Sequence, residues 1–299
     1  MDLTSLEIFR AVAAERSVTH AARLLGRVPS NVSTRLQQLE QQVGAALFAR
    51  DGKRMVLTRE GETFLAYADR ILALAAEAKA AVRPAEVTGP LRVGTMESTA
   101  ASRLPQPLAQ FHARWPSVSL QLSMGATSEL TDRVISRELD CALIARVPDA
   151  LDQDRHFSGG QTPLHADRVF VEDLLVVLPA AHPAIESAAD LEVDTLAALE
   201  PGCTYRRIAE DWGRKTRRLQ TLELGSYHAI LASVASGTAA GVIPKSVLDL
   251  LHWPAGRQAH RLAAVDTLLI RRKDYRSDPF DAFLGILQQS GGSGSGLST

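Results

Sequence analysis

Two cysteines in 299 residues, Cys141 and Cys203, are too few for a disulfide framework or a cysteine-rich zinc site. Long apolar runs are missing too, and the chain opens MDLTSLEIF, with acids where a secretory leader carries a basic region. A cytoplasmic protein is expected. The eight histidines are scattered without a spacing such as HExxH, so no metal is expected. A G-x-S-x-G elbow, a P-loop and a dinucleotide fingerprint are all absent, which removes the commonest enzyme signatures and any resident cofactor they imply. Excess charge of one sign is lacking as well, the net being −1, but that balance is not uniform. From Arg16 to Arg59 eight basic residues face two acids, Glu40 and Asp51, a local net of +6. A small basic segment inside a neutral whole is the pattern of a nucleic-acid-binding module.

What is present in that segment is a helix with two unlike faces, SNVSTRLQQLEQQVG at residues 30–44. Val32, Leu36, Leu39 and Val43 fall on one helical stripe and can enter a core. Asn31, Thr34, Arg35 and Gln38 fall on the opposite stripe, with no acid among them. A helix that faces only water usually mixes acids with bases.

The chain has 45% hydrophobic and 22% charged residues, enough to bury a substantial core, and its pattern changes along its length. The first 83 residues read as helical, interrupted by ARDGKRMVLT at 49–58, whose Asp51-Gly52 pair signals a hairpin. Helices followed by such a hairpin suggest a winged helix-turn-helix over residues 1–58. A long helix follows, in a linker segment spanning 59–88. Phe64, Ala68, Ile71, Ala75, Ala78 and Val82 alternate by four and three there, a coiled-coil seam, with packing onto its own domain as the alternative.

RPAEVTGP at 83–90 breaks the helix, and strand-like and helical segments then alternate in two βαβ series, the signature of a parallel sheet. Two α/β lobes are expected across 89–290: lobe I from about 89–163 and 267–290, lobe II from about 164–266. The tail at 291–299, GGSGSGLST, is of low complexity.

Ala21-Ala22-Arg23, Leu25, Ser33, Leu36, Leu39-Glu40, Gly44, Leu47-Phe48, Arg50, Leu57-Thr58 and Gly61 stand in the register of one known motif. On these residues the chain resembles the LysR-type transcriptional regulators along nearly its whole length. The resemblance implies a dimerising linker helix, a dimer or dimer of dimers, and an effector domain like the type 2 periplasmic binding proteins. Double-stranded DNA and a small-molecule effector are the implied partners, with RNA polymerase as a further candidate. Pro29-Ser30 and Thr34-Arg35 replace the Gln-Pro and Arg-Gln pairs common in the family, and Lys53 stands where an arginine is common. Docking is expected to persist while the preferred base sequence differs.

A recognition helix lays its N-terminal part in the major groove, where base edges display donors, acceptors and methyl groups. Asn31 suits adenine and Arg35 guanine. Ser30, Ser33 and Thr34 can bond bases or phosphates, and Pro29 fits the first turn because its missing N–H costs little there. Arg50, Lys53 and Arg54 of the wing are candidate phosphate or minor-groove contacts.

In a two-lobed α/β domain, ligands sit beyond the carboxyl ends of strands. The loops there are rich in hydroxyls: Ser98, Thr99, Thr127, Ser128, Thr204 and Ser226 are expected effector contacts, with Tyr205 and Tyr227 as walls. Their alternative role is helix capping. Glu97 favours an amine or amino acid, whereas Arg206 favours an acid group. Cys203 is a further contact and, in a competing reading, a redox sensor activated by a helix N-terminus and Arg206. A second competitor is a cytoplasmic enzyme or solute-binding protein whose N-terminal helices only oligomerise.

Overall fold

The structure, a computed structural model, describes residues 1–52, 54–81, 87–146, 163–214, 219–253 and 258–292. Lys53, residues 82–86, 147–162, 215–218 and 254–257, and the tail beyond 292 fall outside them. Two compact units divide the chain, the first comprising Met1–Pro84 with Ser136–Glu138 and the second Ala85–Ile135 with Leu139–Thr299.

The first unit holds α1 (Leu3–Glu15), α2 (Val18–Leu24), α3 (Pro29–Val43), a hairpin of β1 (Phe48–Asp51) and β2 (Arg54–Leu57), and α4 (Arg59–Ala81). Local chemistry sets each boundary. Asp2 caps α1 by accepting from the Ser5 N–H at 2.7 Å, and Ser17 caps α2 by accepting from His20. Val28 precedes α3, Pro29 takes its first turn, and Gly44 ends it at φ +78°, a left-handed conformation suited to glycine. Glu40 then joins helix to hairpin, one carboxylate oxygen accepting from the Leu47 and Phe48 N–H groups at 2.7 and 3.1 Å. Thr58 Oγ1 caps α4 by accepting from Gly61 N and donates to Ala46 O. A Cβ on Gly61 would lie 2.0 Å from Leu47 O, so the hairpin can approach α4 only over a glycine.

Phe9 is fully buried at the centre, its ring 5.2 Å from both Phe48 and Phe64. Burying a side chain of this size contributes about 1.5–3 kcal/mol. Val32, Leu36 and Leu39 enter the same core, but Val43 is partly exposed where the helix runs past it. The expected coiled-coil seam is corrected in part: Phe64, Ala68 and Ile71 pack inward on this core, and the large apolar side chains left exposed on α4 are Tyr67 and Leu74.

The second unit is built on one eight-stranded sheet in the order β4-β3-β5-β10-β6-β9-β7-β8. Its strands are β3 (Gly89–Thr95), β4 (Val118–Met124), β5 (Cys141–Ala145), β6 (Leu164–Val177), β7 (Thr195–Ala198), β8 (Gln220–Glu223), β9 (Ala240–Pro244) and β10 (Ala259–Arg272). The helices are α5 (Glu97–Ser102), α6 (Pro105–Arg114), α7 (Thr127–Ile135), α8 (Thr204–Arg214), α9 (Tyr227–Ala235), α10 (Lys245–Leu250) and α11 (Asp278–Gly292). The expected parallel sheet is mixed: β3 pairs parallel with β4 and β5, and β7 with β8 and β9, but the central strands β6 and β10 run antiparallel to their neighbours.

Those two strands make two lobes out of one sheet. Over Thr267–Arg271, β10 pairs with β5, while at the other end Leu174–Val177 of β6 pairs with β9. A register shift between Thr267 and Leu268 marks the crossing. The expected start of lobe II at residue 164 is therefore too early. Leu164 pairs with Arg272 and Phe170 with Thr267, and Val169 and Phe170 join the core of Leu91, Phe111 and Phe283. Antiparallel partners must cross between lobes at the same level, which puts the crossing in β6 near Val171–Glu172. Glu172 is 3% exposed there and is ion-paired with Arg103.

Candidate nucleic-acid interface and ligand cavity

In the first unit, the apolar stripe of α3 leaves its opposite stripe free. Pro29, Ser30, Asn31 and Thr34 are exposed, and Ser33 and Arg35 are half-exposed. The Arg35 guanidinium donates to Asp2 Oδ2 at 2.9 Å, on the carboxylate that caps α1. The Ser5 N–H and then Arg35 hold the Asp2 carboxyl below its ordinary range. Arg50 and Arg54 are both exposed on the hairpin, where Arg50 pairs with Met55 and Asp51 with Arg54. Lys53, also expected here, lies outside the described residues. Arg23 and Arg27, exposed at the end of α2 and in the turn before α3, were not among the expected DNA contacts. Their place in the basic segment was the available signal.

In the second unit, a cavity of about 450 Å³ opens past the carboxyl ends of β3, β4, β7 and β8. Among the expected contacts Glu97, Ser98, Thr127, Cys203, Tyr205 and Tyr227 line it. Four others do not. Thr204 is buried with its hydroxyl on Ala145 O, Ser226 caps α9 through Ala229 N, Thr99 is buried within α5, and Ser128 is exposed outside the lining. For Thr204 the hydroxyl proton, and for Ser226 one hydroxyl lone pair, is committed to backbone.

Met96, Met124, Leu199, Glu129 and Glu200 complete much of the wall and were not anticipated. Burial raises the Glu97 carboxyl above its ordinary value; the Tyr227 N–H pulls it down, Glu200 pushes it up and His228 pulls it down. Burial pushes both Tyr205 and Tyr227 phenols up, with the Glu172 carboxylate adding to the effect on Tyr205. The Ser98 hydroxyl lies beside both rings, yet neither it nor the Tyr205 hydroxyl has a hydrogen bond of good geometry.

Arg206 does not serve the cavity as expected. Its guanidinium donates to Glu210 at 2.8 Å and to Glu223 and Leu199 O at 3.0 Å, so its charge is already matched. The Cys203 thiol is pushed up by burial, opposite to the thiolate stabilisation a redox sensor requires. Among the described residues no cluster of His, Cys, Asp and Glu could hold a metal, and no helix is long and apolar enough to cross a membrane.

Residues 3–62 match the bacterial regulatory helix-turn-helix proteins of the lysR family, and residues 84–292 match the LysR substrate binding domain. The chain belongs to the LysR family of transcriptional regulators. Family membership makes it a regulator with a helix-turn-helix and an effector-binding domain. It is 33% identical over 295 residues to the transcriptional regulator GltR of Bacillus subtilis, covering 95% of each chain. It is 30% identical to YofA of the same organism, covering 97% of this chain and 99% of that one. Among solved structures, a full-length OxyR variant from Pseudomonas aeruginosa superposes with a TM-score of 0.71 at 24% identity, covering 97% of this chain and 94% of that one. CbnR, solved in complex with its target DNA, gives 0.66 at 20% identity, covering 97% and 100%. These last two share the fold.

Proposed function

We propose that this LysR-type regulator acts in the cytoplasm as a homodimer or dimer of dimers, presenting paired α3 helices to an interrupted dyad in DNA. The observation that carries the reading is the solvent-facing stripe of α3, polar and free of acids, within a basic segment. Asn31 and Arg35 read bases, with Pro29, Ser30, Ser33 and Thr34 fitting the helix against the groove. Arg50, Lys53 and Arg54 hold phosphates. The cavity of the second unit takes a small-molecule effector for binding and not for turnover, and its occupancy changes how the dimers are arranged on DNA. Glu97, Ser98, Thr127, Cys203, Tyr205 and Tyr227 are the contacts retained.

Titration onto the DNA upstream of its own gene, against a scrambled duplex, tests the reading. Arg35→Ala is expected to cost about 1–3 kcal/mol on the native site and little on the scrambled one. Equal weak binding of the wild-type protein to both duplexes would count against this operator. An Arg35→Ala protein with undiminished preference would remove Arg35 from base reading.

A further inference from the structure

We propose that the effector of this cavity is a cation, a small organic amine whose ammonium group is held between Glu97 and Glu200. The proposal rests on the reading of the cavity as the effector site.

The charged side chains in the lining are Glu97, Glu129 and Glu200, all acidic. Glu129 shares its charge with Arg133 at 3.4 Å, but Glu200 disfavours the ionised form of Glu97, and His228 is the basic group near Glu97. A bound ammonium would relieve that repulsion and find acceptors on both sides.

Helix N-termini also reach the cavity, and in general such N–H groups favour an anion. At α8 and α9 the protein's own atoms occupy them, whereas α5, which begins at Glu97, has no side-chain cap. The Tyr227 N–H at the start of α9 faces the Glu97 carboxylate, and Ser226 Oγ accepts from Ala229 N in the same turn. At α8 the Tyr205 and Arg206 N–H groups face the Cys203 sulfur. At α7 the Glu129 carboxylate folds back over Gly125, where an added Cβ would lie 2.9 Å from Glu129 Oε2. A ligand carboxylate would have to displace these groups, and Arg206 is tied elsewhere.

An independent feature marks the cavity as built for a ligand. Ser98 and Tyr205 line it, each is 2% exposed, and although their hydroxyls lie beside one another neither makes a hydrogen bond of good geometry, so a guest or water that reached them would complete the bonding. Met96, Met124 and Leu199 supply an apolar wall for the carbon chain of the amine.

Four probes of one length but different charge isolate the claim: 1,5-diaminopentane, 5-aminopentanoate, glutarate and 1,5-pentanediol. Each is titrated calorimetrically into the full-length protein at about 0.15 M salt, where loose surface attraction is screened. The diamine is expected to bind, glutarate and the diol are not, and Glu200→Gln and Glu97→Gln are each expected to weaken the diamine about tenfold. Failure of the diamine to bind, preference for glutarate, or indifference of the diamine to both variants overturns the assignment.

Gly225→Phe separates that failure from failure of the underlying reading, because Gly225 lines the cavity and a Cβ there meets nothing within 4 Å. Diamine binding lost in this variant supports the proposal. Diamine binding retained in it would place the cation elsewhere, overturning the effector-site reading and the proposal together. Glutarate binding lost in it would keep the cavity as the effector site and overturn only its charge.

Discussion

Glu97 sits at the first turn of α5, where a carboxylate is ordinarily unremarkable, but partial burial and the neighbouring Glu200 make its ionised form costly. The sign of the consequence follows from linkage. A carboxyl whose folded value lies above its unfolded value binds its proton more tightly in the folded state, so stability falls as pH rises through that interval. Glu97→Gln removes the charge and keeps an acceptor for the Tyr227 N–H. The variant is expected to melt at a higher temperature than wild type at pH 7, and the difference is expected to shrink as pH falls from the raised value of Glu97 toward the ordinary 4.5 and to be nearly gone below it. Melting curves across pH check this, and a gap that persists unchanged at low pH would mean that ionisation of Glu97 is not the source. The same residue that lowers stability in the empty protein is the one a bound ammonium would repay, which is how binding sites commonly trade stability for affinity.

At the scale of elements, the hairpin and α3 divide the work of holding DNA. Arg50 and Arg54 are exposed on paired strands and bring positive charge to the hairpin. Arg50→Ala or Arg54→Ala is expected to weaken native and scrambled duplexes alike and to reduce the slope of log affinity against log salt by about one. A loss confined to the native site would make that arginine a base reader. How legible each element was depended on how much of it is decided locally. Pro29 and Gly44 punctuate α3, and the hairpin turns just after Asp51, which pairs with Arg54, over Gly52 at φ +58°, so both could be read from neighbouring residues. The antiparallel course of β6 and β10 could not, because a strand's partners lie far away in sequence. The first half of β6, with His165, Asp167 and Arg168, carries too many polar residues to resemble a central strand, although Val169 and Phe170 are buried. β7 is four residues long, Thr195–Ala198, and half alanine, so it left no pattern. That omission hid Glu200, which follows β7 into the cavity. Ser98 and Tyr205, by contrast, were legible because the strands and helices around them were.

For the whole molecule, the cores are the deciding feature. Phe9, Leu36, Phe48 and Ala68 belong to a cluster drawn from the first unit alone, while the clusters around Leu130, Phe283 and Ile230 are drawn from the second alone. Separate cores permit separate cooperative transitions. Each ligand should then stabilise only the unit that binds it, by an amount that grows with the logarithm of its concentration over Kd, about 2.7 kcal/mol at a hundredfold excess over Kd. Scanning calorimetry of the full chain is expected to resolve two transitions. Operator duplex is expected to raise one and 1,5-diaminopentane the other. Phe9→Ala should lower only the transition that DNA raises, by a loss of about 3–5 kcal/mol from that core. If instead a single transition moved with both ligands and with Phe9→Ala, the two units would unfold as one. Coupling between effector and DNA would then run through shared stability, and not through rearrangement of independently folded parts.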